Sequence, residues 1–98
     1  MLGRVAVNDA ALVGFAHVVV HPNTWTTRPV GYLEDLYVAE DHRRGGVGRA
    51  LIEAFVEEGR RQGWHRLYWM TKRDNRRARD VYDSLVPVTD WVRYDWPL

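Results

Sequence analysis

Arginines and glycines crowd one short stretch of the chain, Arg43-Arg44-Gly45-Gly46-Val47-Gly48-Arg49, in a pattern suited to holding a phosphate-bearing ligand. Glycine lets the main chain come close to a ligand, and amide N–H groups converge where a helix begins. The helix dipole adds about half a positive charge at the same place. Guanidinium groups beside it can contact phosphate oxygens two at a time. The spacing narrows the choice of motif. A P-loop would place Gly-Lys-Ser/Thr at the helix start, whereas Gly48 is followed by Arg49 and Ala50. A dinucleotide fingerprint would need a third glycine where Leu51 stands and an acidic residue about 20 positions on, where the chain has Arg66. What is left is Arg43-x-x-Gly46-x-Gly48, a corner fitted to a pyrophosphate.

That corner must join elements that can position it. Val5-Ala6-Val7 alternates, Asn8-Asp9 reads as a turn, and Leu12 to Val20 is rich in strand formers, which together predict an antiparallel hairpin. His21 to Pro29, with its prolines, asparagine and threonines, reads as a loop leading into a strand from Tyr32 to Val38. Val47, Ala50, Leu51, Ala54, Phe55 and Val56 follow a helical period, with Glu53, Glu57, Arg60 and Arg61 outside and Gly63 as the stop. Leu67 to Thr71 reads as the next strand. Asn75 would cap a second helix carrying Ala78, Val81, Tyr82 and Leu85, which Pro87 ends, and Val88 to Trp96 would form a last strand. Strand, helix, strand at this spacing predicts a right-handed β-α-β crossover flanked by antiparallel strands. The fold class expected is α/β in the α+β sense, with a mixed, largely antiparallel twisted sheet around that unit.

Composition limits what the chain can do. Its 98 residues, 46% of them hydrophobic, suit a single folded domain over residues 1–98. A net charge of +1 gives no general attraction to nucleic acid or to a membrane surface, so neither partner is expected. There is no cysteine, hence no thiolate nucleophile, thiolate metal site or disulfide. The longest apolar run, Ala10 to Val20, is broken by Gly14 and His17 and falls short of the ~20 residues a bilayer demands. No signal peptide is recognisable at the N-terminus, and a cytoplasmic location is expected. His17 and His21, four apart on a strand, would stand about 13 Å from each other and cannot share an ion. All four histidines are read as structural or solvent-facing, and no metal is expected. Trp64, Trp69, Trp91 and Trp96 are read as core or dimer contacts.

The corner, its strand and the second helix together resemble the GCN5-related N-acetyltransferase (GNAT) superfamily. Arg43-x-x-Gly46-x-Gly48 matches the family's acetyl-CoA signature. Gly31-Tyr32-Leu33-Glu34-Asp35-Leu36-Tyr37-Val38 resembles the strand that feeds it, and Asn75-x-x-Ala78-x-x-x-Tyr82 matches a later helix. Tyr-Leu-Glu-Asp is most similar to the polyamine and D-amino-acid acetyltransferase branch. The resemblance implies transfer of an acetyl group from acetyl-CoA to a primary amine by direct attack, without a metal. Backbone at Leu36, Tyr37 and Val38 would meet the pantetheine arm in a gap between two splayed strands. Arg43, Arg44, Gly45, Gly46, Val47, Gly48 and Arg49 would surround the pyrophosphate, with Asn75 bordering the cleft. Tyr82 occupies the general-acid position, where it would protonate the departing thiolate.

An amine of pKa ~10.4 is neutral about once in 2,500 molecules at pH 7, a cost of roughly 4.6 kcal/mol, so a base is useful. Glu34 is the candidate, directly or through a water. Glu34 and Asp35 are expected on opposite faces of their strand, so that only one reaches the cleft. Lys72, Arg73, Arg76, Arg77 and Arg79 form the densest positive patch, eased by expected Arg76/Asp80 and Arg79/Asp83 pairs, and offer further contacts to CoA phosphates. The chain departs from the family in having Val86-Pro87 where Gly-Phe is usual. It also lacks the family's N-terminal strand and two helices, which wall the acceptor site. An exposed edge and face would favour a homodimer. The alternative to an acetyltransferase acting on a small-molecule or protein amine is an acyl-CoA-binding or regulatory remnant of the same fold.

Overall fold

The computed structural model describes residues 2–8, 11–43 and 45–98. Its order is β1 (Leu2–Asn8), β2 (Ala11–Asn23), β3 (Thr26–Val38), a 3-10 turn (Glu40–His42), α1 (Val47–Gln62), β4 (Leu67–Tyr68) and α2 (Arg76–Leu85). The four strands form one sheet in the order β1-β2-β3-β4. Pairings β1–β2 and β2–β3 are antiparallel and β3–β4 is parallel, so the sheet is mixed and the expected fold class holds.

The segment His21 to Pro29 is not the loop expected of it. Strand β2 continues to Asn23 and β3 begins at Thr26, with Thr24 and Trp25 alone making the turn. The Asn23 side chain accepts from Trp25 N at 3.0 Å, and Thr26 Oγ1 accepts from Arg28 N at 3.2 Å, which closes the hairpin. Pro22 and Pro29 are tolerated because neither has a partner in the β2–β3 register, so no ladder donor is missed. The C-terminal strand is also overturned. Residues 86–98 carry neither helix nor strand, since among the described residues no ladder partner lies beside them. Strand β4 is two residues long where five were expected.

Both helices start and stop as their sequences predict. Gly63, at φ 77°, ends α1 in the left-handed region, and its N–H bonds back to Arg60 O. Asn75 caps α2 by accepting from Ala78 N at 3.3 Å. One face of α1 lies on the sheet: Leu51, Ile52 and Phe55 are buried with Ala16, Val18, Leu33 and Trp64, whereas Ala50 is exposed. Trp64 fits because two glycines leave it room. A Cβ on Gly31 or Gly59 would stand 2.6 or 2.7 Å from its ring. Trp69, Tyr82 and Leu85 pack against the same core, so α2 shares the α1 side of the sheet. Trp91 and Trp96, read as core or dimer contacts, are 87% and 89% exposed.

Candidate cofactor corner and acceptor face

Strand β3 is one edge short of a full ladder. Gly31 and Tyr32 pair with Leu67 and Tyr68, and the parallel pairing stops there, leaving Leu33 to Val38 bonded to β2 alone. The cause is visible two residues further on. His17 pairs with Asp35 and Val18 with Leu33, so Glu34 is an extra residue and forms a bulge. Leu33 and Leu36, three apart, both pack against the core, which strict alternation forbids and the bulge permits. A bulge bends its strand, and here β3 parts from β4 just before it. Glu34 and Asp35, at the bulge, are both exposed.

At the far end of β3 the chain turns through Glu40–His42 and enters α1 at Gly46, whose φ of 82° is left-handed. Nothing lies within 4 Å of where its Cβ would be, so the main chain is bare to solvent at this point. Ala50 N makes the first helical bond, to Gly46 O. The amides of Val47, Gly48 and Arg49 have no acceptor among the described residues. Three donors without an acceptor among the described residues, on a dipole end reached through glycine, match an anionic ligand in donor chemistry and space.

The flanking arginines are arranged differently from expectation. Arg43 Nε donates to Val38 O at 3.1 Å, so its guanidinium is tied to the end of β3 with its outer nitrogens left over. Arg49 Nε donates to Glu53 at 2.7 Å and lies along α1. Arg44 lies outside the described residues. Gly45 donates to His42 O at 3.3 Å. Of the remaining predicted positions, Leu36 and Val47 are partly buried against the core, Tyr37 is 49% exposed, and Val38 closes the strand. The Asn75 side chain is occupied with its cap.

Tyr82 is half-buried, and its ring meets Trp69 edge-on with centroids 5.4 Å apart. Burial pushes its phenol above the ordinary value of 10.0, because desolvation penalises the phenolate. A hydroxyl kept protonated in this way can donate. Glu34 has no ion-pair partner among the described residues, and no contact joins it to Tyr82. The arginine patch lies at the start of α2. Neither Arg76/Asp80 nor Arg79/Asp83 forms among the described residues, and Arg79 instead donates to Arg73 O at 2.9 Å.

The sheet face away from α1 carries two rows of rings. Phe15, His17 and Tyr37 form a run of ring contacts, with centroid distances of 5.3 and 5.6 Å, and Tyr32, Tyr68 and His21 form another. His17 Nδ1 lies 3.5 Å from Asp35 Oδ2. The sequence held a signal for this, since alternation puts Phe15, His17, Val19 and His21 on one face, but pairing His17 with Asp35 needed the register. Among the described residues no group of histidines and carboxylates could hold a metal, and no helix is long and apolar enough to cross a membrane.

Residues 2–85 match the Acetyltransferase (GNAT) family. The chain is 40% identical over 82 residues to D-amino-acid N-acetyltransferase HPA3 of Saccharomyces cerevisiae, covering 84% of this chain and 51% of that protein. It is 32% identical over 74 residues to thialysine N-epsilon-acetyltransferase of Bos taurus, covering 76% and 43%. It therefore spans about half the length of the curated relatives it matches. Among solved structures, ribosomal-protein-alanine N-acetyltransferase from Brucella melitensis biovar Abortus 2308 superposes with a TM-score of 0.86 at 27% identity, covering 98% of this chain and 68% of that one. An aminoglycoside acetyltransferase, HMB0005, from an uncultured soil metagenomic sample gives a TM-score of 0.88 at 26% identity, covering 98% and 64%.

Proposed function

The chain belongs to the GNAT acetyltransferase family, and from that premise we propose that it binds acetyl-CoA at the Gly46 corner and transfers the acetyl group to a primary amine. The observation that carries this reading is a pair of backbone surfaces left open among the described residues: the amides of Val47, Gly48 and Arg49, and the β3 edge from Leu33 to Tyr37, beyond which Arg43 holds Val38 O. Acetyl-CoA supplies a diphosphate for the first, an amide-bearing arm for the second, and an acetyl group activated as a thioester. Leu36, Tyr37 and Val38 offer the arm main-chain groups, as an edge strand offers them to an added strand. Gly45, Gly46, Val47, Gly48 and Arg49 hold the diphosphate, with the outer nitrogens of Arg43, and Asn75 borders the cleft. Arg44 is proposed to join them.

Tyr82, protonated through the working pH range, gives a proton to the departing sulfur. Glu34, exposed on the bulge, draws in the ammonium ion and begins its deprotonation, directly or through a water. The curated relatives named for D-amino acids and thialysine favour a small amine such as an amino acid or polyamine. We place the protein in the cytoplasm as a homodimer. A second reading is an acyl-CoA-binding module without turnover, which needs only the Gly46 corner and the β3 edge.

Calorimetric titration with acetyl-CoA tests the corner, and thiol release with a panel of amines tests the transfer. Heat of binding and amine-dependent thiol release are expected. Tyr82→Phe should lower kcat by about 100-fold with little change in KM. Absence of binding overturns the reading, and binding without thiol release selects the module.

A further inference from the structure

We infer that His17, facing Asp35 across the β2–β3 ladder, is the group that finally takes the acceptor's proton; the inference rests on the acetyltransferase reading above. The bulge sets this pair up. It places Asp35 opposite His17 in register and brings Oδ2 to 3.5 Å from Nδ1. Three neighbours fix the imidazole. The Phe15 ring lies 5.3 Å from it, Asp35 Oδ2 stands 3.5 Å from Nδ1, and Gly3 on β1 leaves it room, since a Cβ there would stand 3.3 Å from Cδ2. Nε2 has no hydrogen-bond partner among the described residues, and the side chain is 40% exposed. One ring nitrogen thus faces a carboxylate and the other is open, the arrangement that suits a histidine base.

Its position follows from which side an acceptor can approach. The free edge of β3 has the helix side filled by α1, Trp69 and Tyr82, so an amine arrives over the other face, where His17, Asp35 and Glu34 lie. Basicity separates the two candidate bases. An imidazole is a stronger base than a carboxylate, and so matches an ammonium better. Glu34 then attracts the cation, and His17 removes its proton. The ammonium N–H bond breaks with its electron pair left on nitrogen, and Nε2 gains the proton, its charge opposed by Asp35. The amine nitrogen bonds to the acetyl carbon as the C–S bond breaks. The sulfur takes the Tyr82 proton, Tyr82 recovers the second amine proton through water, and His17 returns its own to solvent. The groups facing His17 are Asp35 and, beside it, Glu34 from β3, and Gly3 from β1; Phe15 and Val19 are its neighbours along β2.

Two measurements test this on the intact chain. Nitrogen-15 NMR of the His17 ring, assigned with His17→Gln, should show the Nδ1–H tautomer in the unaltered chain and lose that preference in Asp35→Asn, without any cosubstrate present. In turnover, His17→Gln should lower kcat by about 100-fold and abolish the acid limb of kcat/KM, while acetyl-CoA affinity stays within twofold. Glu34→Gln should raise the acceptor KM and keep that limb. An unchanged tautomer in Asp35→Asn, or an acid limb that survives in His17→Gln and disappears in Glu34→Gln, overturns the inference while acetyl-CoA binding still stands. Failure of the unaltered chain to bind acetyl-CoA or to turn over defeats the wider reading and the role of His17 with it.

Discussion

Tyr82 shows how one side chain's setting becomes measurable. Its phenol titrates above 10.0 in the folded chain because burial disfavours the phenolate, whereas the unfolded chain titrates near 10.0. Above pH 10.0 the unfolded state loses this proton first and the folded state keeps it, so stability falls as pH rises from 10.0 through the folded value and is unaffected below. Denaturation midpoints between about pH 9 and 11 should therefore fall less steeply in Tyr82→Phe than in the unaltered chain. Arg76 and Arg77 make a second test, because two effects of their charge have opposite signs. They occupy the first turn of α2, where positive charge opposes the helix dipole. Arg76→Glu with Arg77→Glu should raise stability by about 0.3 to 1 kcal/mol for each site and weaken acetyl-CoA binding several-fold if they reach its phosphates. Unchanged affinity in calorimetry would show that the patch is solvated. At this scale the sequence was most legible where a residue acts on its own main chain, as Gly46, Gly63 and Asn75 do. It was least legible for long side chains: Arg43 and Arg49 were expected to face a ligand, and one grips Val38 O while the other grips Glu53.

The elements were legible wherever periodicity ran unbroken. Both helices and the first hairpin begin and end near their sequence signals, since capping and amphipathic spacing are local. Two of the three strand errors came from tertiary facts. Prolines signalled a loop at Pro22 and Pro29, but a proline is harmless where no ladder bond is due. Valines and aromatics signalled a strand at Val88 to Trp96, but a strand exists only with a partner. The bulge at Glu34 had no signal at all, because an inserted residue shows itself only against the strand beside it. Close packing of α1 on the sheet gives a sharp test. Gly59→Ala should favour the helix by about 1 kcal/mol through propensity and cost about 1 to 3 kcal/mol by pressing on the rigid Trp64 ring. The second effect is the larger, so thermal denaturation should show a lower Tm, whereas a raised one would mean that Trp64 moves aside.

For the whole molecule, one side of the sheet is covered by helices and the other is lined by half-exposed rings, with β1 and β4 as open edges. Unpaired edges and exposed aromatics favour self-association. The homodimer proposed above should give a light-scattering mass near twice 11.5 kDa in dilute solution, and a monomer mass would count against it. The five tryptophans are distributed unevenly with respect to water: Trp64 is 8% exposed, whereas Trp25, Trp91 and Trp96 are 90%, 87% and 89% exposed. The protein's own fluorescence is consequently a two-colour gauge. Emission from the enclosed indole lies to the blue and resists iodide, while that from the three outer ones lies to the red and is readily quenched. Any event that buries the last stretch of chain, whether pairing of subunits or closure over a ligand, will register as lost quenching without a label.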